Sequence, residues 1–429
     1  IVDVNIEPIA LTTGTSYACP NVATHDRQVR LNIPSPGWMR GPGAAEGHFA
    51  LESALDELSY TLGIDPVELR LRNYAEVHPQ SGLPWSSKAL RECYRVGAER
   101  FGWPQRTSQI GSMRQGNWLV GYGMAGVTYE WYAQHCQARI SIGRDGNAVV
   151  RSAATDLGTG TYTIATQLAA ELLGLDTGQV RAEIGDSDLP PAPQSGGSGL
   201  ANSLGGAIQD AARNLLSAFL DVVSGDDRSP LKGRRRNDVT TMGGRIQLVD
   251  DPSIGETYMD ILARHELQEL AADGELNPKP EGAGMAPSPA FAAHFAEVRI
   301  DAELGMLHIA RIVSAVDAGR ILNEKLARNQ ISGGAVMGIG MSILEETIFD
   351  PVTGRIANAT FGDYLIPVNA DVTDLDVVFV GDPDRFSPIG IKGLGEVGTL
   401  GVSAAIANAV YHATGRRIRS LPITIDKLL

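Results

Sequence analysis

Apolar residues recur every three or four positions in several segments of the chain, a spacing that predicts amphipathic helices. The first such helix opens after Gly41-Pro42-Gly43 and ends at Gly63. Its buried face is predicted from leucines at this spacing, namely Leu51, Leu55, Leu58 and Leu62. Asp65 followed by Pro66 predicts the start of the next helix, because Asp is a good N-cap and proline fits the first helical position.

Alternating and continuous apolar runs bounded by turn residues predict strands in the rest of the chain. The predicted strands are 119–131, 137–142, 148–153, 180–184, 295–300, 306–316 and 375–380, and the further helices are 161–173, 201–222, 333–344 and 401–413. Residues 1–35 read as irregular and strand-like, and 275–289 as a Pro/Gly linker. Strands and helices mix without regular βαβ alternation, so we predict an α+β fold of mixed sheets with packed helices.

Residues 104–117 lack apolar periodicity and mark the best candidate for a domain boundary. At 429 residues the chain is long enough for two or three domains. We therefore expect one domain portion at 1–108 and a second domain at 109–429.

Composition narrows the classes of partner. With 50 acidic and 36 basic residues the net charge is −14, which argues against a nucleic-acid surface because phosphates would be repelled. Since no apolar run approaches the roughly 18 residues of a membrane span, none is expected. The three cysteines, Cys19, Cys93 and Cys136, are too far apart for a cluster, and the eight histidines form no metal-ligand pair, so we expect no metal-ligating residues.

Two stretches match the dinucleotide pattern G-x-G-x-x-G, beginning at Gly121 and at Gly393. The first runs into a strand instead of a helix. The second carries Glu396 inside the loop, where a pyrophosphate would be repelled, and too little chain follows it. A nicotinamide dehydrogenase is therefore disfavoured.

Glu396 itself has two interpretations. Held among small residues ahead of an apolar helix, it could be a partly desolvated carboxylate that serves as a general base. It could equally bind the free N–H groups at the start of the helix predicted at 401–413. The residues alone leave both open.

Glycine-rich segments precede two predicted helices, at 157–161 and 194–199. Exposed amides at a helix N-terminus favour anions, and without a Walker lysine such loops suit a phosphate-bearing cofactor that stays bound, although each could be only a tight turn. Arg40 lies between an aromatic residue and a Pro-Gly turn, where it could bind a substrate or cofactor oxyanion or hold the loop that enters the helix.

Five segments together resemble one protein family. They are MRGPGAAEGHFALESALDELSYTLGIDPVELRLRNY (39–74), DLGTGTYTIATQLAAELLGL (156–175), GDSDLPPAPQSGGSGLANSLGGA (185–207), VDAGRILN (316–323) and IKGLGEVGTLGVSAAIANAVYHATGRRIRSLPIT (391–424). The chain thereby resembles the molybdenum-binding large subunit of the xanthine dehydrogenase and aldehyde oxidase family, and by the family pattern its C-terminal portion.

The resemblance implies a molybdopterin-dependent oxidoreductase that oxidises an aldehyde or an N-heterocycle with water as oxygen donor. It implies molybdopterin with molybdenum, in the cytosine dinucleotide form, and assigns the general base to Glu396, with Arg40 near the substrate. The residues expected to hold the cofactor are Gly158, Thr159, Gly160, Gly196, Gly197, Ser198, Gly393 and Gly395.

Electrons would pass to partners, an iron–sulfur subunit and in some assemblies an FAD subunit, and the large subunit would include an N-terminal portion beyond this chain. We expect a cytoplasmic location, with export on a partner's signal as the alternative. The sequence also departs from the family, because it has no Gly-Gly-Phe-Gly loop, and Met337 and Glu324 stand where glutamine and proline are common. The alternative function is therefore a catalytically inactive, cofactor-free association domain.

Overall fold

The computed structural model describes residues 7–278, 288–372 and 374–429. The helices of this part are α1 Leu11–Thr15, α2 Ala44–Leu62, α3 Pro66–Arg72, α4 Leu90–Phe101, α5 Thr161–Leu173, α6 Leu200–Val223, α7 Tyr258–Arg264, α8 Glu324–Ile343, α9 Val397–Leu400 and α10 Val402–Thr414. The strands are β1 Arg114–Gln115, β2 Trp118–Tyr129, β3 Cys136–Gly143, β4 Ala148–Ser152, β5 Val180–Ile184, β6 Val239–Met242, β7 Arg245–Leu248, β8 Gly255–Thr257, β9 Glu269–Leu276, β10 Ala290–Asp301, β11 Leu307–Asp317 and β12 Leu375–Val380. The predicted α+β class is confirmed.

The largest sheet has the strand order β1-β2-β10-β11-β12, antiparallel except for the parallel pair β11 and β12. Helix α10 packs so closely on β2 that a Cβ on Gly121 would lie 1.9 Å from the carbonyl oxygen of Ala409. A Cβ on Gly123 would lie 2.2 Å from that of Ala405. These glycines of the first G-x-G-x-x-G match therefore serve helix–sheet packing.

A second sheet has the order β5-β4-β3-β9, and a small antiparallel sheet contains β6, β7 and β8. Helices α5 and α6 bury their apolar faces against the second sheet, with Leu168, Leu215 and Phe219 in its core. Helix α5 coincides with the helix predicted at 161–173, and Gly160 and Gly174, both with positive φ, bound it. The N-terminal residues of α5 and α6 line the cavity described below.

One edge of β2 pairs with β10, and the two-residue strand β1 pairs with only the start of the other edge. Along the rest of that edge, buried side chains hydrogen-bond to the backbone of β2. The bonds are Tyr122 N–H to His412 Nδ1 (2.9 Å), Asn408 Nδ2 to the Met124 carbonyl (3.1 Å), Gly126 N–H to Glu52 Oε2 (2.7 Å) and Thr128 N–H to His48 Nε2 (3.1 Å). They satisfy backbone groups that would otherwise be buried without partners. We call these four side chains the β2 edge clasp.

The predicted leucine face of α2 is wrong. Leu58 and Leu62 are 43% and 52% exposed, whereas His48, Glu52 and Asp56 are buried. The polar face turns inward because two of its residues belong to the β2 edge clasp, and Asp56 pairs with Arg417 at 2.8 Å. Specific polar partners outweigh the apolar periodicity here.

Other differences follow from local structure. Residues 1–35 were predicted to be irregular and strand-like; in the described part, 7–35, a short helix, α1, forms at Leu11–Thr15 and the rest is irregular apart from a bridge at Tyr17. Helix α4 was not predicted. Helix α8 begins before residue 333 because Asn323 caps it by accepting from the Leu326 N–H. The expected linker at 275–289 begins inside β9 and then falls largely on 279–287, outside the described residues.

Helix α4, from the first predicted domain portion, packs against the sheet of the second. A Cβ on its Gly97 would lie 2.6 Å from the Phe295 ring of β10. The boundary at 108/109 stays a prediction. Among the helices of the described ranges, none has the length and apolar character needed to cross a membrane.

Candidate active site

A cavity of about 930 Å³ is lined by the end of β2, the N-terminal parts of α5, α6 and α8, and the loop that leads to Glu396. Segments distant in sequence line it, namely 38–44, 128–134, 157–161, 194–201, 320–330 and 391–396. It brings together Glu396, Arg40, Gly158, Thr159, Gly196, Gly197, Ser198, Gly393 and Gly395. Gly160 does not line the cavity, and a Cβ at this position would lie 2.4 Å from the Leu326 side chain.

Three donors bind the Glu396 carboxylate from three directions. Oε1 accepts from the Gly41 N–H at 3.1 Å, and Oε2 accepts from the Tyr129 hydroxyl at 2.6 Å and from Ser198 Oγ at 2.8 Å. Ser198 Oγ also accepts from the Glu396 N–H at 3.1 Å, so its own proton points to the carboxylate. Such a carboxylate is fixed in orientation.

The helix-capping alternative for Glu396 is wrong. Glu396 precedes α9 but makes no side-chain cap bond to it, and the N-cap residue of α10 is Gly401. Its side chain turns instead to the cavity. The structure thus leaves a carboxylate that faces a cavity, which is the geometry that a general base requires.

Tyr129 is a reliable hydrogen-bond donor to Glu396. Burial, together with the adjacent Glu396 carboxylate, raises the pKa of Tyr129 well above its usual value. The phenol therefore stays protonated over the range in which proteins are folded. Tyr129 ends β2, one residue beyond the last bond of the β2 edge clasp.

Arg40 binds backbone carbonyl oxygens. Its Nε donates to the Gly395 carbonyl at 2.7 Å, and Nη2 donates to the Gln330 carbonyl at 2.7 Å and to Gln330 Oε1 at 3.2 Å. Burial lowers the pKa of Arg40, while the nearby Glu396 carboxylate opposes this. Arg40 therefore holds the residue before Glu396, and a contact with substrate stays a prediction.

The loop before α5 already contains an anion from the chain itself. The Asp156 carboxylate accepts from the Gly158 N–H at 2.8 Å, the Gly160 N–H at 3.0 Å and the Tyr162 N–H at 3.3 Å. Main-chain bonds of this kind lower the pKa of Asp156 despite partial burial. The amides of Gly158 and Gly160 are thus directed at Asp156 and not at the cavity.

The loop before α6 has a more open geometry. Gly197 and the non-glycine Ser198 both have left-handed backbone, with φ of 57° and 53°. A Cβ on Gly197 would meet nothing within 4 Å, so the backbone there borders open space. Left-handed backbone at a serine is uncommon and marks a place where surrounding contacts fix the chain, here the bonds of Ser198 to Glu396.

The departures from the family pattern have structural outcomes. Met337 is on α8 but not among the residues that line the cavity, whereas Gln330 of the same helix lines it and binds Arg40. Glu324 occupies the first position of α8, where an acidic residue suits the helix dipole. In the ranges that the structure describes, no three His, Cys, Asp or Glu residues are grouped as metal ligands.

Sequence reasoning missed Tyr129, Gln330 and Gly41 as members of the site. Tyr129 closes a predicted strand and Gly41 precedes a predicted helix, positions at which side chains and amides often face a cavity. The sequence contained no signal that paired them with Glu396.

Comparisons with known proteins show which family the chain belongs to. A family model described as a molybdopterin cofactor-binding domain matches residues 96–373, and a second model of the same description matches residues 4–74. The aldehyde oxidoreductase molybdenum-binding subunit PaoC of Escherichia coli (strain K12) is 38% identical, over 96% of this chain and 54% of that protein. A putative xanthine dehydrogenase molybdenum-binding subunit, XdhA of the same organism, is 34% identical, over 92% of this chain and 53% of that protein.

The fold matches a solved structure as well. Quinoline 2-oxidoreductase from Pseudomonas putida 86 superposes with a TM-score of 0.81 at 23% identity, over 90% of this chain and 52% of that one. The chain spans about half the length of the curated relatives it matches. It belongs to the molybdopterin cofactor-binding domain family and is related to the molybdenum-binding subunits of aldehyde oxidoreductases and xanthine dehydrogenases.

Proposed function

We propose that this chain is the part of a molybdenum hydroxylase that carries the general base, and that the enzyme oxidises an aldehyde or an N-heterocycle with water as oxygen donor. The observation that carries the proposal is the Glu396 carboxylate, which faces a cavity of about 930 Å³ and is fixed by three donors. The similarity to an aldehyde oxidoreductase subunit supports an aldehyde as the substrate.

The residues around the cavity fit a molybdopterin in size and chemistry. Its volume is in the range of cavities that hold cofactors. Gly196, Gly197 and Ser198 would hold a phosphate through the open left-handed turn, and Thr159 offers a hydroxyl across the cavity. Gly158 and Gly160 would act by donating their N–H groups to Asp156 and so shaping their loop. Gly393 and Gly395 would act by allowing the Glu396 loop to lie close to Ser198.

We propose the cytosine dinucleotide form of the cofactor, as the resemblance to the family implies. Two glycine-rich loops that line the cavity, joined by a 2.7 Å bond between Thr155 Oγ1 and Ser195 Oγ, are the candidates to bind its phosphates. When bound, the cofactor with its molybdenum would supply the redox chemistry. The chain's own residues then bind, orient and move a proton.

Glu396 would accept a proton at Oε1 or Oε2 during hydroxylation. Tyr129, Ser198 and Gly41 hold the carboxylate in one orientation before that transfer, which reduces the reorganisation that the reaction requires. Arg40 donates to the Gly395 carbonyl and so fixes the backbone of the residue that precedes the base.

The electrons of the oxidation would leave through a partner with iron–sulfur centres, and in a larger assembly through an FAD subunit. The chain spans about half the length of these relatives, so the activity is proposed for the complete enzyme. We place this enzyme in the cytoplasm.

Metal and pterin analysis tests the proposal against the cofactor-free alternative. The complete enzyme is purified, its molybdenum is measured by mass spectrometry, and its pterin is measured by fluorescence after acid release. We expect both in amounts close to one per chain. Absence of both from a folded preparation would contradict the proposal and favour an association domain.

A further inference from the structure

Side chains bind the peptide that bears Glu396 on both sides, one of them partly buried and the other fully buried. On one side Arg40 donates to the Gly395 carbonyl at 2.7 Å. On the other side His294 of β10 places Nε2 3.2 Å from the Val397 carbonyl oxygen. A base flanked by glycine would otherwise have a mobile backbone, since Gly395 restricts its own torsions little.

The partners of His294 fix its tautomer. A carbonyl oxygen only accepts, so Nε2 must carry the proton and donate to Val397. In the neutral ring Nδ1 is then the acceptor and receives the hydroxyl proton of Ser314 at 2.8 Å. The complete burial of His294 on β10 favours this neutral ring, because burial disfavours the charged form.

The surroundings of His294 support the neutral form. Burial lowers its pKa to about 4, and the nearby His48 lowers it further when charged, whereas the Val397 carbonyl favours the charged form. His48 is itself held neutral by its bonds, because Nδ1 faces the Ala44 carbonyl at 2.7 Å and Nε2 accepts from the Thr128 N–H. Burial lowers the pKa of His48, and the nearby Glu52 opposes this.

We infer that His294 is a positioning residue for Glu396, acting through the Val397 carbonyl on the side opposite to Arg40. The inference rests on the proposed function of Glu396 as a general base. A donor at Nε2 keeps the turn from 395 to 397 in the one conformation in which both carboxylate oxygens meet their donors. Loss of that donor frees the Val397 carbonyl and lets the carboxylate shift.

The chain offers a matched control in His412. It is also buried, accepts a backbone N–H at Nδ1 from Tyr122, and faces a backbone carbonyl with Nε2, that of Thr107 at 2.9 Å. Burial lowers the pKa of His412 to about 4 as well. It has no contact with the Glu396 loop among the bonds of the described residues, so its loss reports the structural cost alone.

The test compares His294→Leu, His294→Gln and His412→Leu in the complete enzyme. Leucine keeps volume and removes the donor, whereas glutamine keeps an N–H near the position of Nε2. We expect kcat of His294→Leu to fall about 10- to 100-fold with KM little changed, because small displacements of a catalytic group have effects of this size. We expect His294→Gln to regain most of the loss and His412→Leu to keep kcat.

A second measurement does not depend on turnover. Hydrogen exchange of the full chain should speed up in the segment 394–400 for His294→Leu and not for His412→Leu. Equal kcat in the two leucine variants, no rescue by glutamine, or unchanged exchange at 394–400 would each overturn the inference. An active Glu396→Gln enzyme would instead overturn the proposed function, so the two failures are distinguishable.

Discussion

The phenol of Tyr129 donates a 2.6 Å hydrogen bond to Oε2 of Glu396, a residue 267 positions further along the chain. Tyr129 comes to this place because it ends β2, and the residue before it, Thr128, donates its N–H to His48. The strand that organises the larger sheet thus delivers one donor to the candidate base.

Replacement of Tyr129 by phenylalanine should weaken catalysis without unfolding the protein. The variant removes one of two donors to Oε2 and leaves the ring in place, so we expect kcat to fall about tenfold, the effect of a modest loss of orientation. Tyr258→Phe is the control, since this buried tyrosine donates to the Leu173 carbonyl at 2.8 Å in the other core. Similar kcat in both variants would contradict the role of Tyr129.

Replacement of Gly197 by valine should lower the amount of bound pterin. The side chain would enter open space at the cavity and strain a backbone with φ of 57°. Gly243→Val is the matched control, because Gly243 has φ of 58° and open space around it but lies in the small sheet's turn. We expect pterin to drop by more than about half in the first variant only, from the loss of the amide cradle. Equal pterin content in the two variants would argue against the 196–198 loop as a cofactor contact.

The local elements of this fold could be predicted from the sequence, whereas the contacts between them could not. Helix α5 was predictable because Gly160 and Gly174 bound it, and β12 because turn residues flank a short apolar run. The buried face of α2 was not, because His48 and Glu52 bind backbone groups of β2 more than 70 residues away.

For the candidate site, too, single residues could be predicted from the sequence, whereas the contacts between them could not. Glu396 could be predicted as a site residue because its segment resembles a family motif. The residues alone supported a general base and a helix cap equally, and only the structure shows that its side chain makes no cap bond. The Gly41 N–H that binds Oε1 is 355 residues away, and no local pattern encodes such a pair. The loop at 158–160 was predicted as an anion site, but the sequence did not indicate that the Asp156 carboxylate is the anion that its amides bind.

The buried ion pair of Arg70 and Glu52 should matter for stability. Arg70 Nε donates to Glu52 Oε2 at 2.7 Å, and both side chains have no exposed surface. Arg70→Met would leave the carboxylate buried and uncompensated, so we expect the free energy of unfolding to fall by about 3–5 kcal/mol. Arg72→Met, which breaks an exposed pair with Glu68, should cost less than about 1 kcal/mol. Urea unfolding of the two variants measures the difference, and equal losses would contradict it.

Acid should destabilise the protein through its buried histidines. Burial lowers the pKa of His294 and of His412 to about 4. Between pH 4 and the ordinary histidine value of about 6.5 the unfolded chain binds more protons at these sites than the folded chain, so the free energy of unfolding falls as pH falls.

The slope should be about 1.4 kcal/mol per pH unit for each histidine in that window. Denaturant unfolding between pH 7 and pH 5 measures it. His412→Gln should reduce the slope relative to the unsubstituted protein. A slope that His412→Gln leaves unchanged would show that His412 does not stay neutral in the folded protein.

The most direct test of the account is turnover of Glu396→Gln in the complete enzyme, with molybdenum measured in the same preparation. Glutamine keeps the size of the side chain but cannot accept the proton. Glu130→Gln is the control, since Glu130 lines the same cavity and binds His78 at 3.2 Å. We predict that Glu396→Gln retains molybdenum and loses aldehyde oxidation, while Glu130→Gln keeps it. Full activity in molybdenum-loaded Glu396→Gln would contradict the assignment of the base.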